Sequence, residues 1–252
     1  MISGLIITYN EEKHIKSVLE NIDFVDEIII VDSYSTDKTI EIINSFPNVK
    51  LFQRKFDDFT SQRNFALSLA SNDWILFIDA DERVPIELKN EIIETASQQN
   101  DVSAYYFYRK FMYQNKPLHF SGWQTDKNFR LFKKSKCSYI NERLVHETLK
   151  VEGKTGILTN KLIHYSFDEY QKYKNKMISY GKLRAKELFL KGKKYNLFIY
   201  IFKPLYKFLY DYIIRLGFLD GKKGIVICYL NALSVYSRYP ELKRLYLKNK
   251  TH

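Results

Sequence analysis

Short apolar runs alternate with helical patterns along the first hundred residues of the chain. The apolar runs are rich in β-branched residues, which favour buried strands, and they lie at 2–8, 27–31, 49–53 and 73–79. Apolar positions recur at helical spacing over 11–22, 37–46 and 60–70, and Pro85 opens a further helix in its first turn. Strands that are apolar on both faces are typical of a parallel sheet covered by helices. The pattern therefore predicts an α/β fold.

The pattern changes after residue 166, where the sheet region is predicted to end. Residues 167–191 form a lysine-rich helical pattern, and residues 195–219 are dominated by Phe, Tyr, Leu and Ile. The charges within this aromatic stretch fall every four residues, which places them on one stripe of a helix. Four charges argue against a transmembrane span. Two interpretations stay open: a helix packed on the catalytic domain, or a helix in the membrane interface.

The predicted organisation follows from these patterns. Residues 1–166 are expected to form the catalytic domain, divided into halves at 1–100 and 101–166, and residues 167–252 form a helical extension. Residues 1–100 carry a net charge of −9 and residues 101–252 one of +20, within a total of +11. The basic part suits a membrane surface, a phosphorylated acceptor or nucleic acid.

Cysteine usage and the N-terminus bear on the compartment. Cys137 and Cys228 match no metal-binding or redox spacing, which favours two reduced thiols. The first residues lack a basic region and a long apolar run, so they are expected to form a strand rather than a signal peptide. We therefore expect a cytoplasmic protein.

Polar residues follow three of the predicted strands. Thr8 to Glu11 follow the first, Asp32 follows the second, and Asp79-Ala80-Asp81 follow the fourth. Ligands of open α/β sheets bind beyond the carboxyl ends of the strands, so these residues are expected to converge. A glycine-rich dinucleotide fingerprint and a P-loop are both absent from the sequence, which disfavours the usual nucleotide sites.

The pair Asp79 and Asp81 has a direct chemical implication. Their side chains point the same way at the end of a strand, and two close carboxylates repel unless a cation lies beside them. Oxygen ligands suit Mg²⁺ or Mn²⁺, which complete their shell with water and substrate phosphates. A diphosphate leaving group would be held in this way. A solvated acidic turn before a helix is the alternative.

These residues resemble the family 2 glycosyltransferases of GT-A fold. The matching segments are I-I-T-Y-N-E-E at 6–12, V-D-S-Y-S-T-D at 31–37, Q-R-N-F-A-L at 62–67 and D-W-I-L-F-I-D-A-D-E-R at 73–83. Further segments resemble later parts of the family: S-G-W at 121–123, R-L-F-K-K at 130–134, V-H-E at 145–147, H-Y-S at 164–166 and F-L-D-G at 218–221. The arrangement is most similar to bacterial lipopolysaccharide inner-core β-glucosyltransferases.

The resemblance implies a set of roles. The UDP-sugar donor would contact Thr8, Tyr9, Glu11, Asp32, Arg63, Asn64, Asp79, Ala80 and Asp81. The divalent metal, Mg²⁺ or Mn²⁺, would bind Asp81 and His164, and the acceptor would contact Gly122, Trp123 and His146. Glu147 would be the general base, although V-H-E departs from the family's acidic motif at this place. An inverting transfer needs only one such base and a stabilised leaving group.

The resemblance also implies the partners. It predicts transfer of a hexose, glucose in the most similar enzymes, to a lipid-anchored glycan at the inner face of the cytoplasmic membrane, with the protein bound peripherally. A polyprenyl-linked exopolysaccharide or capsule precursor, or a protein, is an alternative acceptor. A basic nucleic-acid-binding protein is a remote alternative, since no nucleic-acid-binding module is recognisable. A sugar-nucleotidyltransferase would need a glycine-rich basic loop where T-Y-N-E-E stands.

Overall fold

The computed structural model describes residues 1–98, 100–123, 125–140, 148–167 and 169–250. The chain divides into two compact units. One comprises Met1–Arg109 and Asp126–His164, and we call it the sheet unit. The other comprises Lys110–Thr125 and Tyr165–His252, and we call it the helical unit.

The strands and helices follow the predicted alternation through the first hundred residues. The strands are β1 (Ile2–Thr8), β2 (Glu27–Asp32), β3 (Val49–Gln53), β4 (Trp74–Phe77), β5 (Glu82–Arg83), β6 (Val102–Tyr113), β7 (Lys116–Pro117), β8 (Lys127–Lys133), β9 (Cys137–Ile140), β10 (Thr148–Val151), β11 (Lys154–Ile157) and β12 (Leu162–Phe167). The helices are α1 (Ile15–Asn21), α2 (Thr39–Asn44), α3 (Phe59–Leu69), α4 (Ile86–Ser97), α5 (Tyr170–Leu190), α6 (Leu197–Leu209) and α7 (Lys222–Lys250).

The main sheet has the strand order β3-β2-β1-β4-β8-β6-β12-β5, with β7 and β11 paired to β6. β1 pairs in parallel with β2 and β4, and β2 pairs in parallel with β3. β8 runs antiparallel to β4 and β6. The strand order reverses at β1, so the carboxyl ends of β1 and β4 border a crevice of the kind in which ligands of α/β sheets bind.

The core of the sheet unit lies on both faces of these strands. α1 buries Ile15, Val18 and Leu19 against one face, and α3 buries Ala66 and Leu67 against the other. Their spacing of three or four residues is the helical period, which keeps each apolar stripe on the sheet. The prediction of a mainly parallel sheet flanked by helices, with a helical extension, is confirmed.

Element ends differ from the predicted ranges at helix starts. α1 was expected from residue 11 and begins at Ile15, because residues 12–14 form a turn. α2 was expected from residue 37 and begins at Thr39; the carboxylate of Asp37 accepts a hydrogen bond from Thr39 N at 3.0 Å. β1 and β3 have the predicted bounds.

The helical unit is held together by close approach of α7 to its neighbours. A Cβ on Gly181 of α5 would lie 2.4 Å from the carbonyl oxygen of Ser234 on α7, and one on Gly224 would lie 1.8 Å from that of Gly217. Glycine is therefore required at both contacts, where any side chain would displace backbone. Pro204, expected to kink a helix or mark its start, lies inside α6. In the described part of the chain, no helix is both long and apolar enough to span a membrane.

Candidate active site

The loops after β1 and β2 are hydrogen-bonded to each other. Asn10 N donates to Ser35 Oγ at 2.8 Å, and Asn10 Oδ1 accepts from Thr36 N at 2.8 Å. Glu11 N donates to Thr39 Oγ1 at 2.8 Å. These bonds join residues that are distant in the sequence, so they fix both loops in one arrangement before a ligand binds.

Two residues of these loops adopt left-handed backbone conformations. Asn10 has φ 56° and Tyr34 has φ 61°. Such values are uncommon for residues other than glycine, above all for a bulky tyrosine, and they concentrate at functional sites. Tyr34 and Tyr9 both expose their rings to solvent. The strained loops therefore present two aromatic side chains beside the strand ends.

Thr8 and Asp32 lie opposite each other at the ends of β1 and β2. Asp32 is fully buried, and its carboxylate accepts hydrogen bonds from the backbone and the hydroxyl of Ser35. The hydroxyl of Thr8 is buried and has no hydrogen-bond partner among the residues that the structure describes. Buried polar atoms are nearly always paired in native proteins, so this hydroxyl is suited to a ligand or water.

Asp79 lies between two arginines. Its Oδ1 accepts from Arg63 Nη2 at 2.8 Å, and its Oδ2 accepts from Arg130 Nη2. Burial alone would raise the pKa of Asp79, but the nearby positive charges of Arg130 and Arg63 outweigh it and hold the pKa well below its usual range. Burial alone would lower the pKa of Arg130, and its two carboxylate partners instead raise it. Asp79 is therefore ionised and fixed in place.

This ion pair belongs to a larger buried network of the sheet unit. Arg130 Nη2 also donates to Glu82 Oε1 at 2.6 Å, and Arg109 Nη1 lies 3.5 Å from the same oxygen. Arg109 Nε in turn donates to Asp126 Oδ2 at 2.6 Å. Three guanidinium groups thus balance three carboxylates, and the members in order are Arg63, Asp79, Arg130, Glu82, Arg109 and Asp126.

The carboxylate of Asp81 lies beside the ring of His164. Asp81 Oδ2 lies 3.1 Å from His164 Nε2, and His164 is placed by its pairing with Glu82 across β12 and β5. Neighbouring ligands of an octahedral Mg²⁺ bound at about 2.1 Å lie about 3 Å apart, so this spacing fits two ligands of one ion. No group of three or more metal-binding side chains occurs among the described residues. A metal here would complete its shell with phosphate oxygens and water.

Other predicted site residues have structural contacts. The side-chain amide of Asn64 forms two hydrogen bonds with the backbone of Tyr139 in β9. It donates to Tyr139 O at 2.8 Å and accepts from Tyr139 N at 3.0 Å. The guanidinium of Arg63 lies over the ring of Phe77, 4.5 Å from its centroid. Ala80 is buried, and its carbonyl accepts from Arg83 Nη1 at 2.7 Å. Asn64 therefore anchors β9, while Arg63 orients Asp79.

Gly122 and Trp123 belong to the helical unit. The loop before them is held by Asp220, whose carboxylate accepts from His119 N and Phe120 N, both at 2.9 Å. Gly122 has φ 93°, and the ring of Trp123 packs on that of Phe111, with 4.6 Å between centroids. Asp220 is the aspartate of F-L-D-G, so this motif shapes the loop that carries S-G-W.

The predicted general base Glu147 and the predicted acceptor residue His146 lie outside the described residues. Arg130, Glu82 and Arg109 were not predicted from the sequence as members of the site. A signal was available: Arg130 interrupts the apolar strand F-R-L-F, and arginine is almost never buried without carboxylate partners.

The chain is similar to known glycosyltransferases. The model of the family described as Glycosyl transferase family 2 matches residues 3–149. An uncharacterized glycosyltransferase of Rickettsia typhi is 31% identical, covering 99% of this chain and 89% of the relative. The lipopolysaccharide core biosynthesis glycosyltransferase LpsC of Rhizobium meliloti is 28% identical, covering 94% of this chain and 93% of LpsC. A crystal structure of S. aureus TarS 1–349 in complex with UDP-GlcNAc superposes with a TM-score of 0.48 at 15% identity, covering 98% and 92% of the two chains.

Proposed function

This chain belongs to glycosyl transferase family 2, and we propose that it transfers a hexose from a UDP-sugar to a lipopolysaccharide core acceptor with inversion at the anomeric carbon. One observation carries the proposal. The side chains of Asp81 and His164 lie 3.1 Å apart beyond the end of β4, where they would form a two-ligand metal site beside the strained loops that follow β1 and β2. The similarity to LpsC, which covers nearly the full length of both chains, supports the choice of acceptor.

The donor would bind at the carboxyl ends of β1, β2 and β4. The nucleoside would lie against Tyr9 and Glu11, with the unpaired Thr8 hydroxyl and Asp32 available to its polar groups. Asp79 is already bound by Arg63 and Arg130, so its role is to position the turn that carries Asp81. The sheet unit would thus hold the donor, and the helical unit, through Gly122 and Trp123, would contact the acceptor.

Asp81 and His164 would hold Mg²⁺ or Mn²⁺. A divalent cation there would neutralise the charge that develops on the departing diphosphate. Imidazole and carboxylate together suit Mn²⁺ well, and either ion would take its remaining ligands from the donor and from water. Glu147, followed by β10, would accept the proton of the attacking hydroxyl.

The acceptor would be reached at a membrane surface through α6. Its apolar side chains stand in solvent, with Phe198 73%, Phe202 53% and Tyr206 66% exposed. Their spacing puts Phe198 and Phe202 on one side of the helix, and their rings stack with 5.0 Å between centroids. Lys193, Lys194 and the other exposed lysines near α6 would meet anionic headgroups. Patches of this kind on soluble domains mark interaction sites.

Release of UDP tests the proposal. The protein is assayed with a panel of UDP-hexoses, with Mn²⁺, Mg²⁺ or a chelator, and with isolated lipopolysaccharide core or a polyprenyl-linked glycan as acceptor. We expect turnover that requires the metal and the core. Asp81→Asn should lower it about 100-fold or more and should weaken Mn²⁺ binding in the presence of UDP, measured by electron paramagnetic resonance.

Asp73→Asn is the matched control, because Asp73 is exposed just before β4, at the end opposite Asp81. It should leave both measurements unchanged. Turnover and Mn²⁺ binding of Asp81→Asn equal to those of the wild type would refute the metal assignment. Turnover on the polyprenyl-linked glycan alone would replace the acceptor while leaving the donor site intact.

A further inference from the structure

The helical unit contains a cleft of about 280 Å³ that the donor site does not use. One wall is formed by one side of α7, where Asn231, Ser234 and Arg238 follow at helical spacing. Lys207 of α6 and Trp123, in the loop after β7, also line the cleft. Its volume lies near the lower end of the range for small-molecule sites, which suits a single sugar better than a long chain.

Arg238 is unusual among the arginines of this protein. Every other arginine that the structure describes makes a hydrogen bond or an ion pair, as Arg184 does with Glu187 and Arg244 with Glu241. Arg238 makes none with any described residue, and its Nε is buried. A partly buried guanidinium normally has acceptors for its N–H groups, so Arg238 is suited to an anionic partner that enters the cleft.

The surroundings of Arg238 do not supply that partner. Burial lowers the pKa of Arg238, and together with the positive charge of Arg184 it outweighs the opposing effects of Tyr239 and Glu187. The carboxylate of Glu187, which lies in the same region, is bound by Arg184. The positive charge is therefore held in an unfavourable environment that a bound anion would relieve.

Two side chains that line the cleft, Lys207 and Asn231, are held by one buried carboxylate. Asp211 is fully buried, and its carboxylate accepts from Lys207 Nζ at 2.9 Å and from Asn231 Nδ2 at 3.0 Å. These contacts cancel the charge of Lys207 and fix the direction of both side chains. Lys207 and Asn231 keep further N–H groups, and Ser234 adds a hydroxyl, so the cleft offers hydrogen-bond donors in addition to Arg238.

We propose that this cleft binds the phosphate group of a phosphorylated sugar. The planar guanidinium of Arg238 would hold two phosphate oxygens, which is the geometry for which arginine is suited. The indole of Trp123, already packed on Phe111, would cover the apolar face of the sugar ring. The remaining donors of Asn231 and Ser234 would bind the sugar hydroxyls.

This site refines the proposed function without depending on it for its binding chemistry. If the chain is a glycosyltransferase for a core glycan, the cleft would select acceptors that carry a phosphate. Only this selection of acceptors rests on the proposed function. The site itself can be tested with no donor present.

Glucose 6-phosphate is a simple probe of the cleft. Binding is measured by titration calorimetry at constant ionic strength, and in parallel by tryptophan fluorescence, in which Trp123 reports on the cleft and Trp74 of the sheet unit gives a constant background. Wild-type protein should bind, and Arg238→Gln should weaken binding about tenfold or more, because a charge-assisted pair is lost. Arg238→Lys keeps the positive charge but removes the planar guanidinium that can bind two phosphate oxygens, so it should give an intermediate loss of affinity.

Arg244→Gln is the matched control, since Arg244 lies on the same helix and pairs with Glu241 outside the cleft. It should bind as the wild type does. Equal binding by Arg238→Gln and wild type, or an equal loss in both glutamine variants, would overturn the proposal. The unfolding free energy of each variant is measured alongside, and Arg238→Lys keeps the test decisive if Arg238→Gln is unstable.

Three further probes identify the source of the phosphate. Glucose should bind far more weakly than glucose 6-phosphate, and inorganic phosphate should bind more weakly but still depend on Arg238. A response confined to vesicles of phosphatidylglycerol would overturn the sugar assignment in favour of a lipid headgroup. Wild-type protein that hydrolyses a UDP-sugar but binds no sugar phosphate would refute this site alone, whereas the reverse result would refute the proposed function alone.

Discussion

The sheet unit and the helical unit differ in whether their buried or partly buried arginines are paired with carboxylates. In the sheet unit, Arg130 is buried and bridges Asp79 and Glu82, within a network in which guanidinium and carboxylate groups balance. In the helical unit, Arg238 has no partner among the described residues, although it lines a cleft. A compensated cation holds a site in shape, whereas an uncompensated one is free to bind. The difference separates positioning residues from candidate ligand-binding residues.

Removing the compensated arginine should have the largest effect. Arg130→Met leaves the partly buried Asp79 with Arg63 alone and the buried Glu82 with only the more distant Arg109, and breaking a buried pair from one side costs about 3–5 kcal/mol. Urea unfolding at pH 7 measures the loss. Lys16→Met, which removes an exposed pair with Glu20, is the control and should cost less than about 1 kcal/mol. Equal losses would mean that the network adds nothing beyond a surface ion pair.

The next largest effect is expected from substitutions on the exposed side of α6, which should weaken binding to membranes rather than lower the stability of the fold. Replacing Phe198 and Phe202 together by serine should weaken association with anionic vesicles about 100-fold, since each buried phenylalanine contributes about 1.5 kcal/mol or more. Flotation with phosphatidylglycerol vesicles measures it. Ile86→Ser is the control, because Ile86 is 61% exposed on the sheet unit. Unchanged flotation of the double variant would remove α6 from the proposed membrane contact.

Glu27 offers a smaller effect with a distinct pH dependence. Its carboxylate, at the start of β2, is bound by Ser3, Ser71 and Lys50. Burial alone would raise the pKa of Glu27, but these hydrogen bonds lower it from 4.5 to about 2. The folded state therefore favours the ionised form, and the stabilisation is complete above pH 4.5 and lost as the pH falls through about 2.

Glu27→Gln should accordingly cost about 2 kcal/mol of unfolding free energy at pH 7. The difference from wild type should shrink by about half at pH 3. Urea unfolding at both values measures it, and a difference that is the same at pH 3 as at pH 7 would exclude the carboxylate charge as the cause. Activity should not change, because Glu27 lies at the end of β2 opposite Asp32.

The smallest effect is expected for the uncompensated arginine. Arg238→Met leaves no carboxylate without an ion-pair partner, so the free energy of unfolding should change by about 0.5 kcal/mol or less. Urea unfolding under the same conditions as for Arg130→Met makes the two results directly comparable. A loss of several kcal/mol would show that Arg238 has a structural partner and would erase the contrast between the units.

Local patterns predicted the sheet half of this molecule well. β1 and β3 have the predicted bounds, since a short β-branched run enclosed by turn residues permits few alternatives. Asp81 and His164 were proposed as metal ligands, and the structure brings their side chains together. Their roles, like those of the other proposed site residues, stay predictions.

Contacts between distant residues limited the prediction of the site. Arg130 reaches Asp79 from a strand 51 residues later, and Asn64 reaches the backbone of Tyr139. Periodicity describes which face of an element is apolar, but it does not say which elements become neighbours. For the same reason the stretch at 195–219 left a core helix and an interfacial helix open, and only the structure reveals the exposed rings of α6.

The solvent-exposed aromatic side chains of α6 should also affect the heat capacity of binding. Apolar surface that is hydrated in the free protein and dry in a complex lowers the heat capacity on association. Titration of the protein into vesicles at several temperatures should therefore give a binding enthalpy that becomes more negative on warming. The slope would measure how much of the helix leaves water, independently of how tightly the protein binds.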